Sequence, residues 1–227
     1  MGQYYYIKQG DHLSRVAREN GFADFHTIWD AAENKDLKDK RKNPNILFPG
    51  DKVFIPDKET KEESRTTEKK HKFELQGDPL QLRIVLMGLK NKPLKGHDCI
   101  LTVEGDATEV ITSSDGLVRK VIPENAQTGK LLDRGEPGDK SGLEREIPLR
   151  IGHLDPVDEI SGQMARLNNL GYLAGDPTTP LGRPQEEEDR YRQFQSAVEE
   201  FQCDYSLKVD GICGKQTQAK LVEVHGC

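Results

Sequence analysis

The segment FQSAVEEFQ, residues 194–202, decides the fold of the last third of the chain. Its apolar side chains recur at intervals of three and four positions, as they do along the buried face of an α-helix. They are Phe194, Ala197, Val198 and Phe201. Aromatic residues seven positions apart on one helical face usually pack in a core, so we expect Phe194 and Phe201 to be structural.

A second apolar stripe precedes this segment, and a turn follows it. The stripe has the same helical spacing and consists of Ile160, Met164, Leu167 and Leu170. Gly171 supplies its stop. Downstream, Val209-Asp210-Gly211 predicts a turn, after which a short helix runs to Val222. The sequence therefore predicts a module of three helices over residues 153–227.

The order of these motifs resembles that of the peptidoglycan-binding domain family. The matching blocks are Leu167-Asn168-x-Leu170-Gly171-Tyr172, Phe194-Gln195-x-Ala197-Val198-x-x-Phe201-Gln202, Leu207-x-Val209-Asp210-Gly211-Ile212-x-Gly214-x-x-Thr217 and Ala219-x-Leu221. The resemblance implies binding to bacterial cell-wall glycan or its peptide stems. The side chains expected to contact such a ligand are Tyr172, Gln195 and Asp210. Residues 176–190 depart from the family pattern as an insertion, and we expect the acidic run 186–189 within it to be a solvated loop.

The first quarter of the chain follows a different pattern. Apolar and β-branched residues predict a strand, two helices and a closing strand over residues 1–56. The predicted elements start near Tyr4, Leu13, Phe25 and Val53. Turn dipeptides precede the first helix and the last strand, at Gly10-Asp11 and Pro49-Gly50. A charged loop, residues 35–42, is expected between the second helix and the last strand.

This N-terminal pattern resembles the LysM family. The opening motif is Tyr5-x-Ile7-x-x-Gly10-Asp11-x-Leu13-Ser14-x-Val16-Ala17, and the closing motif is Asn43-Pro44-Asn45-Ile46-x-x-Pro49-Gly50-Asp51-x-Val53-x-Ile55-Pro56. The resemblance implies a groove between two loops that binds N-acetylglucosamine glycans. The residues that it places in the groove are Gly10, Asp11, His12, Leu13, Asn45, Ile46, Leu47, Phe48 and Pro49. The charged stretch 35–42 departs from the family pattern beside this groove.

Between the two end modules the sequence predicts a linker and a β-rich spacer. Residues 57–71 contain no large apolar residue and are expected to form a charged linker. Residues 72–152 alternate in the manner of strands, which favours a small antiparallel sandwich or barrel. Asp115-Gly116 is a hairpin signal, and the glycine-rich and lysine-rich stretch 126–144 is expected to be a long loop. The complete chain is thus predicted to be an α+β multidomain protein.

Composition excludes several classes of function. The formal net charge is -6, which leaves no broad basic surface for a phosphate backbone, so we expect no nucleic-acid partner. No apolar run is long enough for a membrane span. The opening residues lack the pattern of a signal peptide, so we expect synthesis in the cytoplasm and action at the cell wall or periplasm, or in a secreted or phage-like particle. No cofactor is expected.

The cysteines leave three readings open. Cys203, Cys213 and Cys227 are candidates for a disulfide, or they stay as free thiols. Together with His225 they would also suit tetrahedral zinc if the fold gathered them, although no CxxC spacing is present. The ending Val224-His225-Gly226-Cys227 looks like part of the L,D-transpeptidase motif, but the catalytic β-domain of that family is missing. We therefore expect no enzymatic activity.

Two end modules that each resemble a wall-binding family predict bivalent attachment to peptidoglycan. Linking two weak sites raises avidity through effective concentration, without tightening either site. The alternative is a structural or cargo-adaptor role in a contractile injection system, such as type VI secretion or a phage-like tail, with spike or tail proteins as partners. That alternative depends on the pairing of domains alone.

Overall fold

A computed structural model describes residues 2–58, 68–70, 79–88, 92–138, 144–178 and 184–227. The fold is α+β: the N-terminal part combines short helices with a two-stranded sheet, antiparallel sheets form the middle, and helices form the C-terminal part. Each of the three parts encloses an apolar cluster of its own. Most of the predicted linker 57–71 lies outside the described residues.

The N-terminal module is a two-stranded sheet covered by short helices. Its elements are β1 (Gln3–Tyr6), α1 (Leu13–Glu19), α2 (His26–Trp29), a 3-10 turn (Ala32–Asn34), α3 (Lys35–Arg41) and β2 (Lys52–Ile55). β1 and β2 are antiparallel, with Tyr5 opposite Val53. Leu13, Val16, Ile28 and Val53 are almost completely buried between the helices and the sheet.

Two expectations for this module are corrected. The predicted second helix is only one turn long, and the charged loop predicted at residues 35–42 is mostly the helix α3. Lysine and arginine are good helix formers, and only Leu37 and Arg41 turn inward, so the segment lacks the apolar stripe by which a helix is recognised in sequence. Lys42 ends α3 in a left-handed conformation, with a φ of 59°.

The central module consists of two antiparallel sheets on one core. β3 (Gln81–Val85) pairs with β6 (Leu117–Val121). The larger sheet has the order β5-β4-β7-β8, built from β5 (Asp106–Ile111), β4 (Asp98–Val103), β7 (Thr128–Asp133) and β8 (Arg145–Arg150). Leu101 and Leu131 lie side by side on neighbouring strands and are buried beneath the sheets.

The loop predicted at residues 126–144 is wrong, because it contains β7. This strand lies between β4 and β8 and is therefore paired on both sides. In the sequence, Gly129 is a residue type typical of loops. However, a β-carbon there would lie only 2.8 Å from the carbonyl oxygen of Thr102, so the close approach of the strands requires glycine.

The hairpin predicted at Asp115-Gly116 is also corrected. This turn joins β5 to β6, which belong to different sheets and do not pair. The hairpin between β4 and β5 turns instead at Glu104 and Gly105, whose φ values of 48° and 91° are both positive. Two positive φ angles match the twist of antiparallel strands, and glutamate is an unusual residue for the first of them.

The C-terminal module contains α4 (Ile160–Asn169), α5 (Pro184–Asp204) and α6 (Lys215–His225). Phe194, Val198 and Phe201 are buried as predicted, together with Leu167 and Leu221. Ile160 is 55% exposed and does not join the core stripe. The acidic run 186–189, which was expected in a loop, lies within α5.

Candidate functional site

The loop that contains Gly10, Asp11, His12 and Leu13 is tightly held by its own polar groups. Asp11 accepts hydrogen bonds from the Tyr5 hydroxyl at 2.7 Å and from the Lys8 amide at 2.9 Å. His12 caps α1, since its Nδ1 accepts from the Arg15 amide. These bonds shape the loop and leave Asp11 and His12 buried.

The central module covers this loop. A β-carbon at Gly10 would lie 3.4 Å from Nε2 of His153, and one at Gly152 would lie 3.0 Å from the Gly10 carbonyl oxygen. In helix α1, which follows this loop, Nε of Arg18 lies 3.5 Å from Oε2 of Glu124. All four residues from Gly10 to Leu13 are buried in the structure.

The second predicted loop lies directly beside the first. The Leu13 amide donates to the Pro44 carbonyl at 3.1 Å, and Ser14 lies 3.4 Å from the Asn45 side chain. Asn45 is exposed, whereas Ile46 and Leu47 are buried. Phe48 and Pro49 are partly exposed. The structure thus brings together the two halves of the predicted groove, but Asn45, Phe48 and Pro49 provide most of its accessible surface.

A buried arginine ties this region to the C-terminal module. The Arg41 side chain is 1% exposed and forms two hydrogen bonds with Asp51, at 2.7 and 2.9 Å. Its remaining nitrogen reaches the carboxylate of Asp158, at 3.2 Å, and its guanidinium carbon lies 5.7 Å from the centre of the Phe48 ring. No sequence pattern indicates this junction, because Arg41 lies among other charged residues. Glycan binding by the predicted groove stays a prediction.

The three C-terminal candidates separate into two places. Tyr172 is 9% exposed, packs edge-to-face on Phe201 and donates its hydroxyl hydrogen to Asp204 at 2.7 Å. Burial, followed by this hydrogen bond, raises the pKa of Tyr172. Its ring is therefore a core element and has little area to offer a ligand.

Gln195 lies against Gly211, which follows Asp210 in the turn. A β-carbon at Gly211 would lie 2.6 Å from Cγ of Gln195 and 2.9 Å from Oε1 of Glu199, so the turn rests directly on α5. The φ of Gly211 is 66°, which also favours glycine.

Gln202 fixes the conformation of this turn. Its side chain is 1% exposed, accepts from the amides of Asp210 and Gly211, and donates to Asp210 Oδ1 at 3.0 Å and to Thr217 Oγ1 at 3.1 Å. The bond from Gln202, and then that from the Ile212 amide, lowers the pKa of Asp210. Gln202 belongs to the motif Phe194–Gln202, but no local pattern in the sequence indicates that it is buried among polar partners.

The turn and α5 form one exposed surface with apolar and polar parts. Val209 is 55% exposed and Ile212 is 64% exposed. On α5, Tyr191 is 57% exposed and precedes Gln195 by one helical turn. We call this area, formed by Tyr191, Gln195, Glu199, Val209 and Ile212, the α5–turn surface.

Residues 164–221 match the family model PG_binding_1, described as a putative peptidoglycan binding domain. The C-terminal module is therefore similar to this family over these residues. The match runs from α4 to α6 and includes the whole α5–turn surface. No curated protein and no solved structure matches the chain.

The cysteines in and near the C-terminal module are free thiols. Cys203 is exposed, while Cys213 and Cys227 are partly buried. Of the three alternatives, the structure has the free thiols, and no disulfide joins these candidates in it. Burial raises the pKa of Cys213 to about 11. In the described part of the chain no three His, Cys, Asp or Glu side chains form a metal-binding group, and the set of Cys203, Cys213, His225 and Cys227 is thus not assembled.

His225 and Cys227 do form a close pair at the end of the module. Sγ of Cys227 lies 3.2 Å from Nδ1 of His225, and Nε2 of His225 lies 3.0 Å from the Asn169 amide nitrogen. Burial lowers the pKa of His225 to about 4, helped by the Arg166 guanidinium, and burial raises the pKa of Cys227. Both groups are therefore neutral at pH 7, which is the opposite of an activated thiolate–imidazolium pair.

Because two histidines are buried, we expect the free energy of unfolding to decrease in mild acid. Burial lowers the pKa of both His12 and His225 below the ordinary 6.5, so the unfolded chain binds more protons than the folded chain as the pH falls below that value. Their contribution to stability is complete above pH 6.5 and is lost as the pH falls through the lowered pKa of each group, which is about 4 for His225. Urea unfolding at a series of pH values measures this slope.

The matched variants are His12→Asn, which keeps a side chain suited to capping a helix, and His225→Asn. Each should flatten the dependence of unfolding free energy on pH between about 4 and 6.5. His26→Asn, at an exposed position, serves as the control. A slope that is unchanged in both buried-site variants would contradict the assignment.

Among the described helices, none is long and apolar enough to cross a membrane.

Proposed function

We propose that this protein attaches to bacterial peptidoglycan without modifying it, through the α5–turn surface of its C-terminal module. The observation that carries the proposal is the family match over residues 164–221, which includes this surface. The surface joins apolar area from Ile212, Val209 and Tyr191 to the amide of Gln195. Amino-sugar chains and their peptide stems present the same mixture of apolar faces and amide groups.

The non-catalytic character of the proposal is supported by the chemistry of the His225–Cys227 pair. A nucleophilic thiol needs a lowered pKa, and that of Cys227 is raised. The proposed role is therefore attachment at the wall. A second, weaker contact by the LysM-like N-terminal module would raise the avidity of the whole chain.

Co-sedimentation with purified peptidoglycan sacculi tests the proposed surface. The intact chain should pellet with sacculi, and Ile212→Ala combined with Tyr191→Ala should weaken binding by roughly tenfold or more, because exposed apolar anchors often dominate such contacts. Both side chains are more than half exposed, so their removal should leave the fold intact.

Ile160→Ala supplies the matched control. Ile160 is also an exposed isoleucine of the C-terminal region, but it lies outside the matched residues. The control should bind like the parent chain. If the parent chain stays in the supernatant, or if the Ile160 and the Ile212/Tyr191 variants bind equally well, the proposed surface is wrong. Unchanged muropeptides after incubation would agree with the absence of catalysis.

A further inference from the structure

The outer face of the N-terminal sheet carries exposed aromatic rings. The register of β1 and β2 places Tyr4 opposite Phe54 and Tyr6 opposite Lys52, so these four side chains share one face. Tyr5, Val53 and Ile55 point the other way, into the core. Tyr4 is 53% exposed and Tyr6 is 59% exposed, although large rings are usually buried more fully than this. We call Tyr4, Tyr6, Lys52 and Phe54 the aromatic face.

Two of the three rings of this face are held in place before any ligand arrives. Tyr4 and Phe54 pack edge-to-face with their centres 5.3 Å apart. A tyrosine on a strand has few rotatable bonds, and packing removes part of its remaining freedom. Binding to such rings therefore costs little conformational entropy.

The backbone beside this face is already satisfied on one side, which argues against an added strand as its occupant. The Asn34 side chain accepts from the Phe54 amide at 2.7 Å and donates to the Phe54 carbonyl at 2.8 Å. A partner strand at the β2 edge would have to displace both bonds. A ligand recognised by ring faces rather than by backbone pairing fits the arrangement better.

The charge on this face is positive and movable. Nζ of Lys52 lies 3.8 Å above the centre of the Tyr4 ring. A cation–π contact at an exposed site is weak, so a ligand can replace the ammonium group on the ring. The displaced ammonium would stay next to the ring, where it can donate to an amide oxygen or pair with a carboxylate.

We propose that the aromatic face is a second sugar-binding site, which stacks on the rings of a β-linked N-acetylated amino-sugar chain. A pyranose ring presents a face of C–H groups that covers an aromatic ring, while its N-acetyl oxygen lies at the rim within reach of Lys52. The carboxylate of a muramic-acid unit provides a further partner for this cation. The inference rests on the proposed attachment to peptidoglycan and locates the contact of the N-terminal module away from the loop that contains Gly10.

The first test follows the tyrosine rings directly in the intact chain. Aromatic-carbon NMR during titration with a neutral N-acetylglucosamine tetramer should shift the ring signals of Tyr6 and Tyr4. The signals of Tyr172, which is buried in the other end module, serve as the internal control. Unshifted Tyr4 and Tyr6 signals at saturating tetramer would overturn the site. This readout is independent of sacculus binding and needs no substitution.

The second test compares two double variants in sacculus co-sedimentation. Tyr4→Ala with Tyr6→Ala should weaken binding by about tenfold. Val85→Ala with Val121→Ala removes two side chains of similar exposure from the other two-stranded sheet and should have no effect. Lys52→Gln should weaken binding to sacculi more than binding to the neutral tetramer, because only the former carries carboxylates.

The outcomes separate this inference from the proposed function. If the Tyr4/Tyr6 variant pellets normally, and the Tyr4 and Tyr6 signals of the parent chain do not shift with the tetramer, the aromatic face is wrong as a sugar site. The proposal for the α5–turn surface is then unaffected. If the parent chain does not pellet but its Tyr4 and Tyr6 signals shift with the tetramer, attachment to peptidoglycan is wrong. The aromatic face would then be an amino-sugar site for another polymer such as chitin. A concentration-dependent dimer that Tyr6→Ala abolishes would make a second copy of the chain the occupant, and would overturn the inference.

Discussion

Replacing Gly162 with alanine should destabilise the C-terminal module by about 2–3 kcal/mol, although alanine is the better helix former. Gly162 lies in α4 beneath the segment that leads into this helix. A β-carbon there would lie 2.0 Å from the carbonyl oxygen of Pro156 and 2.5 Å from that of Asp155. Both contacts are with backbone, so the clash cannot be relieved by a change of rotamer.

The segment above Gly162 is also fixed by hydrogen bonds, which limits how far it can move. Arg166 is 1% exposed, and its guanidinium donates to the carbonyls of Asp155, Gly162 and Cys227 at 2.7 to 2.8 Å. Moving the segment away from a new methyl group would break at least one of these buried bonds. Leaving a buried carbonyl or guanidinium unpaired is itself costly.

Urea unfolding followed by far-ultraviolet circular dichroism measures the effect of Gly162→Ala. Gly214→Ala is the matched control, because Gly214 has an ordinary φ of -76° and its β-carbon would meet nothing within 4 Å. Because Gly214 is the N-cap of α6 and alanine is a poorer N-cap than glycine, this variant should cost up to about 1 kcal/mol, still less than Gly162→Ala. A Gly162→Ala chain as stable as the control would show that residues 155–156 do not cover α4 in this way.

The sequence was sufficient to predict the elements in which apolar residues repeat regularly. The stripe from Phe194 to Phe201 predicted the buried face of α5, and the motif around Gly211 predicted its turn. By contrast, α3 has one inward apolar residue, Leu37, and β7 contains Gly129 and Lys130, so neither shows a regular pattern. Pairing on both sides, which stabilises β7, is a property of the fold and not of the local sequence.

The candidate sites were predictable to a smaller extent, because exposure depends on how the modules meet. Gln195 was expected at a site and does lie against the turn that contains Asp210, but Tyr172 packs into the core. The loop of Gly10 and His12 was expected to face a ligand; in the structure it lies against Gly152 and His153, and ligand binding there stays a prediction. No motif in either segment shows that the two would touch.

Arg41→Met should destabilise the N-terminal module by about 3–5 kcal/mol, because it leaves a buried carboxylate without its partner. The Asp51 side chain is 8% exposed and accepts two of the hydrogen bonds of Arg41. After the substitution it would keep only the bond from the Phe48 amide. Methionine retains much of the buried volume of the arginine stem, so the loss should reflect charge and hydrogen bonding more than a cavity.

Trp29 makes this effect measurable within the intact chain. It is the only tryptophan and lies 6% exposed in the N-terminal core, so its fluorescence reports the unfolding of this module. Asp158→Asn weakens only the ion pair between Arg41 and Asp158, which joins the two end modules. Since Asp158 is half exposed, this control should cost less than about 1 kcal/mol.

A double variant distinguishes an unpaired charge from lost packing. Arg41→Met combined with Asp51→Asn removes the buried charge while keeping an acceptor for the Phe48 amide, and it should recover a large part of the stability lost in Arg41→Met. If the double variant is no more stable than Arg41→Met alone, the cost comes from packing against Phe48. If Asp158→Asn instead costs as much as Arg41→Met, the contact between the end modules contributes most of the stability at Arg41, and the bonds to Asp51 contribute little.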